Sequence, residues 1–393
     1  MKTINVLGNN SGRNAGDAAI LGGLLADITD LYDNVSFTVP TINSQFVRKA
    51  FAEYPVTPIP LMPWNMSLKI LGVPTWTSVM RSDLVLVTDA ILFDRKLYNP
   101  LFNYLWTLSM VLPRAKSKGI PVVLYNTSLG PIRTDAGRNA LKRILDSADL
   151  LVLRDRESQE LLQDQNLKHD HIVEGADCAL NAVPANDNVF EQMCAEEGLF
   201  QTGRPVIGFN INNYVDAFVR EDGSTFGREN LIELYAQTVD RVIRDLDVEV
   251  VFVETQHMDM GIANSVLAKI QNMDRVRMVS NKKYSYGEIC AVLKRMATFV
   301  GMRTHSLILS STMGVPPVGI ITYPKNRGYM RTIDMEDNLV AFRDLSLDSF
   351  YHKIRTVFEN RGQVKEKLAP AIAREKDKAK NSAKHLNPFL TEE

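Results

Sequence analysis

The sequence predicts an α/β protein made of two Rossmann-like, doubly wound domains facing a cleft. Three observations predict it: short continuous apolar runs, stretches of helical length between them, and one Pro/Asn-rich break near the middle of the chain. A strand covered by helices on both faces is apolar along its whole length rather than alternating. Runs of this kind fall at residues 4–7, 35–39, 84–87, 122–125 and 150–153, and again at 206–210, 248–253, 298–301 and 318–321. Between them, segments such as 18–31 and 228–246 have helical length and periodicity, and repeated β-then-α order builds parallel sheets. Segment 101–112 is apolar and aromatic, ends at Pro113, and reads as a buried helix. The break at 181–187 (Asn-Ala-Val-Pro-Ala-Asn-Asp) separates domains at 1–183 and 184–362. The Lys-, Ala- and Glu-rich remainder, 363–393, reads as a charged, exposed helix or tail.

Composition narrows the function. Of 393 residues, 45% are hydrophobic and 23% charged, which excludes disordered and fibrous classes. The net charge of −1 carries no basic excess, so no nucleic-acid partner is expected. Cys178, Cys194 and Cys290 are too few and too scattered for a disulfide framework or a zinc cluster. Neither a signal peptide nor an apolar run of about 20 residues is legible, which predicts a cytoplasmic protein. His169-x-His171 has no completing carboxylate or cysteine, so no metal site is expected, and no cofactor.

Chemistry is carried by motifs at strand ends, where open α/β sheets bind ligands. The first, Gly8-Asn-Asn-Ser-Gly12-Arg-Asn14-Ala-Gly16-Asp17, follows the first strand and opens the first helix. Its spacing matches neither the dinucleotide fingerprint nor the P-loop. Asp17 serves either as a first-turn carboxylate favoured by the helix dipole or, with Asn14, as a hydrogen-bonding partner of sugar hydroxyls. In the second, Leu-Arg154-Asp155-Arg156-Glu157-Ser158, Arg154 ends a strand and Ser158 begins or caps a helix. Arg154 either grips a phosphate or carboxylate with its planar fork or pairs with a neighbouring acid. The third is the strongest: Gly301-Met-Arg303-Thr-His305-Ser at one strand end, with Lys325 in Tyr323-Pro-Lys-Asn-Arg at the next. Desolvated cations gathered at successive strand termini need an anion, and phosphate is the natural one. Beyond the strand at 248–253, Glu254-Thr-Gln-His257-Met-Asp259 offers Asp259 as a cleft residue or a helix cap.

Taken in order, these residues resemble the polysaccharide pyruvyl transferases: Asn14-x-Gly-Asp17-x-Ala-Ile-Leu, Arg154-Asp-x-x-Ser158, Asp177, Arg303-x-His305, Gly314-x-Pro316 and Lys325. The resemblance runs from about residue 9 to about residue 330. It implies a two-domain enzyme of the GT-B type, without a metal, that moves pyruvate from phosphoenolpyruvate onto two sugar hydroxyls. A cyclic ketal forms and phosphate is released, in cell-surface polysaccharide biosynthesis. It also implies that Arg154, Arg303, His305 and Lys325 hold phosphoenolpyruvate, with Asn14 and Asp17 on the acceptor side. The first domain is then the acceptor side and the second the donor side. One departure stands out: where the family often carries a glycine pair after a strand, this chain has Thr88-Asp89-Ala90, then Phe93-Asp94.

A donor bearing both phosphate and carboxylate requires fixed cations. His305 is expected either to act as the general acid, since imidazole exchanges protons near neutral pH, or to stabilise the departing phosphate. Asp17 or Asp259 is the candidate base for a sugar hydroxyl. The acceptor is a sugar, glycolipid or polysaccharide precursor; a lipid-linked one would bring the enzyme to a membrane surface. A GT-B glycosyltransferase using a nucleotide-sugar is the main rival, since the same basic residues would hold a diphosphate. A non-catalytic sugar- or phosphate-binding protein is the third reading.

Overall fold

Each continuous apolar run becomes a strand of one of two parallel sheets in the computed structural model, which describes residues 1–61, 72–98, 104–213, 227–321 and 324–391. The first sheet takes β1 (Lys2–Leu7), β2 (Val35–Thr41), β3 (Val56–Pro60), β4 (Leu84–Leu92), β5 (Val122–Leu129), β6 (Leu150–Leu153) and β7 (Ile172–Glu174). Their spatial order is β3-β2-β1-β4-β5-β6-β7. The second takes β8 (Val206–Phe209), β9 (Glu249–Glu254), β10 (Val276–Ser280), β11 (Thr298–Gly301), β12 (Pro317–Ile321) and β13 (Leu339–Ala341), in the order β10-β9-β8-β11-β12-β13. Both windings reverse direction once, between β1 and β4 and between β8 and β11, the switch points at which such sheets hold ligands.

The strands without a continuous apolar run are β3, β7, β10 and β13, and all of them are sheet edges. Central strands such as β5 and β11 are buried at every residue, whereas β7 (Ile172–Glu174) has none buried. An edge strand has helix cover and a hydrogen-bonding neighbour on one side only, so it needs no unbroken apolar run.

The chain divides into two units: Met1–Gly12, Ile20–Asn181 and Glu375–Glu393 form one, and Arg13–Ala19 with Ala182–Arg374 form the other. In the first, the core is built by β4, β5 and β6 with the helices Leu105–Ser117 and Asp135–Leu145, through side chains such as Val85, Leu108, Leu124 and Leu141. Of the apolar segment 101–112, residues 101–103 lie outside the described ones, and the rest is the largely buried first part of Leu105–Ser117. In the second, Phe209, Tyr235, Phe252 and Phe350 stack between sheet and helices.

The segment 363–393, expected as a charged, exposed helix or tail, is helical to Asn381 and mostly exposed over 363–370, but its later part docks. Beyond Glu375 it belongs to the first unit, and Ala379, Ala383 and Leu386 are fully buried. Lys378 pairs with Glu174 at 2.6 Å, Lys380 with Asp30 at 2.9 Å, and Ser382 Oγ donates to Asn126 Oδ1 at 2.9 Å. Its charge is the solvent face of a helix whose other face carries small apolar residues.

Asp27, on the helix Ala15–Thr29, lies beneath this docked segment and is 3% exposed. Its carboxylate accepts from Asn181 Nδ2 at 3.0 and 2.8 Å. Burial lifts its pKa from 3.8 to about 6, against the pull of the Asn181 hydrogen bond and of Lys380. The folded state therefore binds this proton more tightly than the unfolded state, and the associated stability is lost as pH rises towards about 6, by ~3 kcal/mol in all. Asp27→Asn cannot ionise, so its stability relative to the parent should rise by about that amount between acid and neutral pH. Urea unfolding of both proteins across that range checks this; a stability difference independent of pH would count against it.

Candidate active site

At the second switch point, β11 ends at Gly301 and the chain turns through Met302 and Arg303 into the helix Thr304–Thr312. The neighbouring strand β12 leads to the helix Pro324–Thr332. A helix N-terminus carries positive partial charge and ordinarily recruits carboxylates to its first turn. Neither of these helices has an acid there. His305 and Lys325, both half-buried, occupy those turns instead, with Arg303 at the N-cap of the first helix. A cation in such a position costs about 0.3–1 kcal/mol unless an anion offsets it. Two helix N-termini and three cationic side chains therefore share one small region, the arrangement that suits a phosphate or carboxylate.

Hydrogen bonds tie the two turns together. Thr304 Oγ1 donates to Asn326 Oδ1 at 2.5 Å, and Asn326 Nδ2 donates to the carbonyls of Met302 and Ile320 at 2.8 and 2.9 Å. From β8, the fully buried Asn210 accepts at Oδ1 from the Arg303 amide (3.2 Å) and from Ser306 Oγ (3.1 Å). Its Nδ2 donates to the Val253 carbonyl at 3.0 Å. Asn210 thus locks three strand ends together. Asn210 and Asn326 carry no chemistry of their own, and their one signal in the sequence is an amide at the end of an apolar run.

Arg303 is oriented by Asp259, whose Oδ2 accepts from Nε at 2.6 Å and whose Oδ1 accepts from Nη2 at 2.8 Å and from the Asn213 amide at 2.9 Å. Asp259 is fully buried and makes no side-chain cap to the helix Met260–Leu267. With a guanidinium fork and an amide already on its oxygens, it is neither the cap nor the base expected from sequence; it is the counter-ion that aims Arg303. The fork is engaged along its Nε/Nη2 edge, which leaves the Nη1 edge turned away from Asp259.

The early segment Arg13–Ala19 belongs to this same unit. Asn14 pairs with Gln256 in an antiparallel bridge, the Ala15 amide donates to the Thr255 carbonyl at 2.8 Å, and Asn14 Oδ1 accepts from the Gly16 amide at 2.8 Å. Gly16 is required by close approach: a Cβ there would lie 2.3 Å from both Cβ and Cγ of His305. Asp17 is 7% exposed in the first turn of Ala15–Thr29. The structure thus brings Asn14, Asp17, Asp259, Arg303, His305 and Lys325 into one unit. The acceptor residues were expected in the other.

Arg154 lies in the first unit, at the end of β6. Its side chain is 7% exposed, and Nη1 stands 2.7 Å from Asp177 Oδ2, with Asp155 Oδ2 3.9 Å from Nε. Of the two roles left open by sequence, its own unit satisfies the ion pair. The helix after it, Arg156–Asp164, is capped by Asp155, whose Oδ1 accepts from the Ser158 amide at 2.9 Å. Ser158 is therefore not the cap: its hydroxyl donates to Asp155 and accepts from the Leu129 amide at 2.8 Å.

At the first switch point, the backbone explains the Thr88-Asp89-Ala90 departure. Asp89 adopts φ +69°, a conformation glycine takes freely. Its own Oδ1 accepts from the Ala90 amide at 2.5 Å, the local bond that lets an aspartate stand there. Elsewhere, His169 Nε2 meets the Ala148 carbonyl at 3.1 Å and Nδ1 accepts from the His171 amide at 3.1 Å. Among the described residues, no group of His, Cys, Asp and Glu side chains is arranged to hold a metal, and no helix is long and apolar enough to cross a membrane.

Comparison with known proteins adds the following. The model of the polysaccharide pyruvyl transferase family matches residues 14–323. The amylovoran biosynthesis protein AmsJ of Erwinia amylovora is 22% identical over 417 residues, covering 94% of this chain and 95% of that protein. Among solved structures, UDP-GlcNAc 2-epimerase from Neisseria meningitidis, bound to UDP-GlcNAc, superposes with a TM-score of 0.68 at 11% identity, over 99% of both chains. Anabaena Alr3699/HepE in complex with UDP-glucose does so with a TM-score of 0.62 at 14% identity, over 99% of this chain and 100% of that one. At such identities the likeness shows the fold alone, which is GT-B-like.

Proposed function

The chain belongs to the polysaccharide pyruvyl transferase family, and on that premise we propose that this transferase moves pyruvate from phosphoenolpyruvate onto two hydroxyls of a sugar acceptor, closing a cyclic ketal and releasing phosphate. The observation that carries the reading is the pair of laced helix N-termini bearing Arg303, His305 and Lys325 where carboxylates would ordinarily stand. Phosphoenolpyruvate presents a phosphate and a carboxylate on a three-carbon frame, and two adjacent positive helix ends offer one favourable position for each. Arg154, already paired with Asp177, stays outside this donor set.

The reaction asks for a proton at the methylene carbon, which becomes the methyl group and leaves the adjacent carbon electrophilic. One sugar oxygen bonds to that carbon, the carbon–oxygen bond to phosphate breaks, and the second sugar oxygen takes the vacated position. Of the two hydroxyl protons, one balances the proton taken up by the methyl group and the other leaves on phosphate. His305 delivers the proton, Arg303 and Lys325 hold the departing phosphate, and Asp17, beside Asn14, accepts from the sugar hydroxyl. The donor is a cytoplasmic metabolite, so the reading places the reaction in the cytoplasm.

A nucleotide-sugar reading shares the fold, since the HepE structure holds UDP-glucose. Thermal shift separates them: phosphoenolpyruvate should raise the melting temperature of the protein and UDP-glucose should not. At a concentration 100 times its Kd, a ligand stabilises by about 2.7 kcal/mol, well within reach of the assay. Stabilisation by UDP-glucose with indifference to phosphoenolpyruvate overturns the proposal.

A further inference from the structure

Glu254 ends β9, is fully buried, and makes no hydrogen bond of normal geometry to the described residues through either carboxyl oxygen. Among the described residues, the charged and titratable groups facing it are Asp259 from the following turn, Arg303 from beyond β11, and Tyr235 from the helix Arg228–Leu246. Neighbouring strands contribute uncharged groups: Ser280 of β10 lies in register with it, and the Ile211 amide follows β8. A carboxylate so placed would be a buried anion beside a second anion, a state disfavoured against the neutral acid.

We infer that Glu254 is held as a neutral acid behind the donor site, so that Asp259 alone balances Arg303. The inference rests on the donor reading above. With Glu254 neutral, Arg303, Lys325 and His305 as the proton donor stand against Asp259 and Asp17 as the base, which leaves the site one positive charge besides the helix ends. An ionised Glu254 would cancel that charge and draw on the guanidinium that faces the phosphate. Burial first, and the Asp259 charge second, push its carboxyl well above the usual carboxylate range, while the Ile211 amide and Arg303 pull the other way without prevailing. The neutral form is present below the raised pKa and lost as pH climbs through it, so donor affinity weakens on the alkaline side.

The test compares the full-length protein with Glu254→Gln, the nearest uncharged copy of the neutral acid. Infrared spectroscopy should show a protonated-carboxyl stretch at neutral pH that disappears in E254Q. Calorimetric titration with phosphoenolpyruvate and, separately, with inorganic phosphate should give matching affinities for the two proteins at neutral pH. Towards alkaline pH the parent should weaken by about tenfold more than E254Q, as a new negative charge beside the Asp259–Arg303 pair dictates. Absence of the infrared band, equal alkaline weakening, or a tenfold loss in E254Q at neutral pH overturns the inference. If phosphoenolpyruvate binds neither protein, the donor reading falls, and the infrared band with the phosphate titration still decides the role of Glu254.

Discussion

His305→Gln should lower turnover by about 10²–10⁴-fold, the span that positioned acid–base groups contribute. The variant should fold as the parent does, because His305 is half-buried in a first helical turn and packs on Gly16 rather than inside a core. Donor affinity should change far less than turnover, since Arg303 and Lys325 remain to hold the anion. That split separates proton delivery from binding: a group used in the transition state lowers kcat, while one used equally in both states raises KM. The measurements are phosphate release from phosphoenolpyruvate with a sugar acceptor, calorimetric affinity for phosphoenolpyruvate, and the melting temperature. Turnover within tenfold of the parent removes His305 from the chemistry. A matching loss of affinity would make it a binding residue instead.

The sequence displayed the central strands because double-sided burial writes an unbroken apolar run, and it hid β3, β7, β10 and β13 because edges do not. It displayed Arg303, His305 and Lys325 for a related reason: cations directly after buried strands are too costly to be incidental. What it could not display is pairing. Asp177 lies in a loop and Asp259 ends a 3-10 turn, neither marked by its local sequence, and only the fold brings them to 2.7 Å from Arg154 and 2.6 Å from Arg303. Nor does local sequence place Asn14 beside Gln256, since the early segment joins the later sheet through long-range backbone bonds. The docking of 363–393 was hidden by its charge, because Lys378 and Lys380 face acids on the first unit while Ala379 and Ala383 face inward.

Asp259→Ala should be the most damaging change to stability in the second unit, by about 3–5 kcal/mol, the cost of leaving one partner of a buried pair uncompensated. Asp259 is fully buried and the Arg303 side chain is 17% exposed, so the stranded guanidinium gains little from water. The loss should be partly recovered in Asp259→Ala/Arg303→Met, because removing both charges restores an uncharged interior whereas removing one does not. Unfolding of the single and double variants in urea measures this. A double variant less stable than the single one would mean that packing by the arginine stem, not charge balance, holds the turn. Function should divide from stability here. The double variant regains folding but not donor affinity, because Arg303 itself is gone, whereas Asp259→Asn keeps the shape of the pair, weakens its hold, and raises KM with a smaller loss of stability. Glu254 makes the comparison sharper: with Asp259 removed, the charge that opposes its ionisation is absent and Arg303 remains to favour it. Burial remains the larger opposing cause, so Glu254 stays neutral and does not replace the lost counter-ion; adding Glu254→Gln to Asp259→Ala should therefore not deepen the destabilisation, and Glu254→Gln alone should not destabilise the parent.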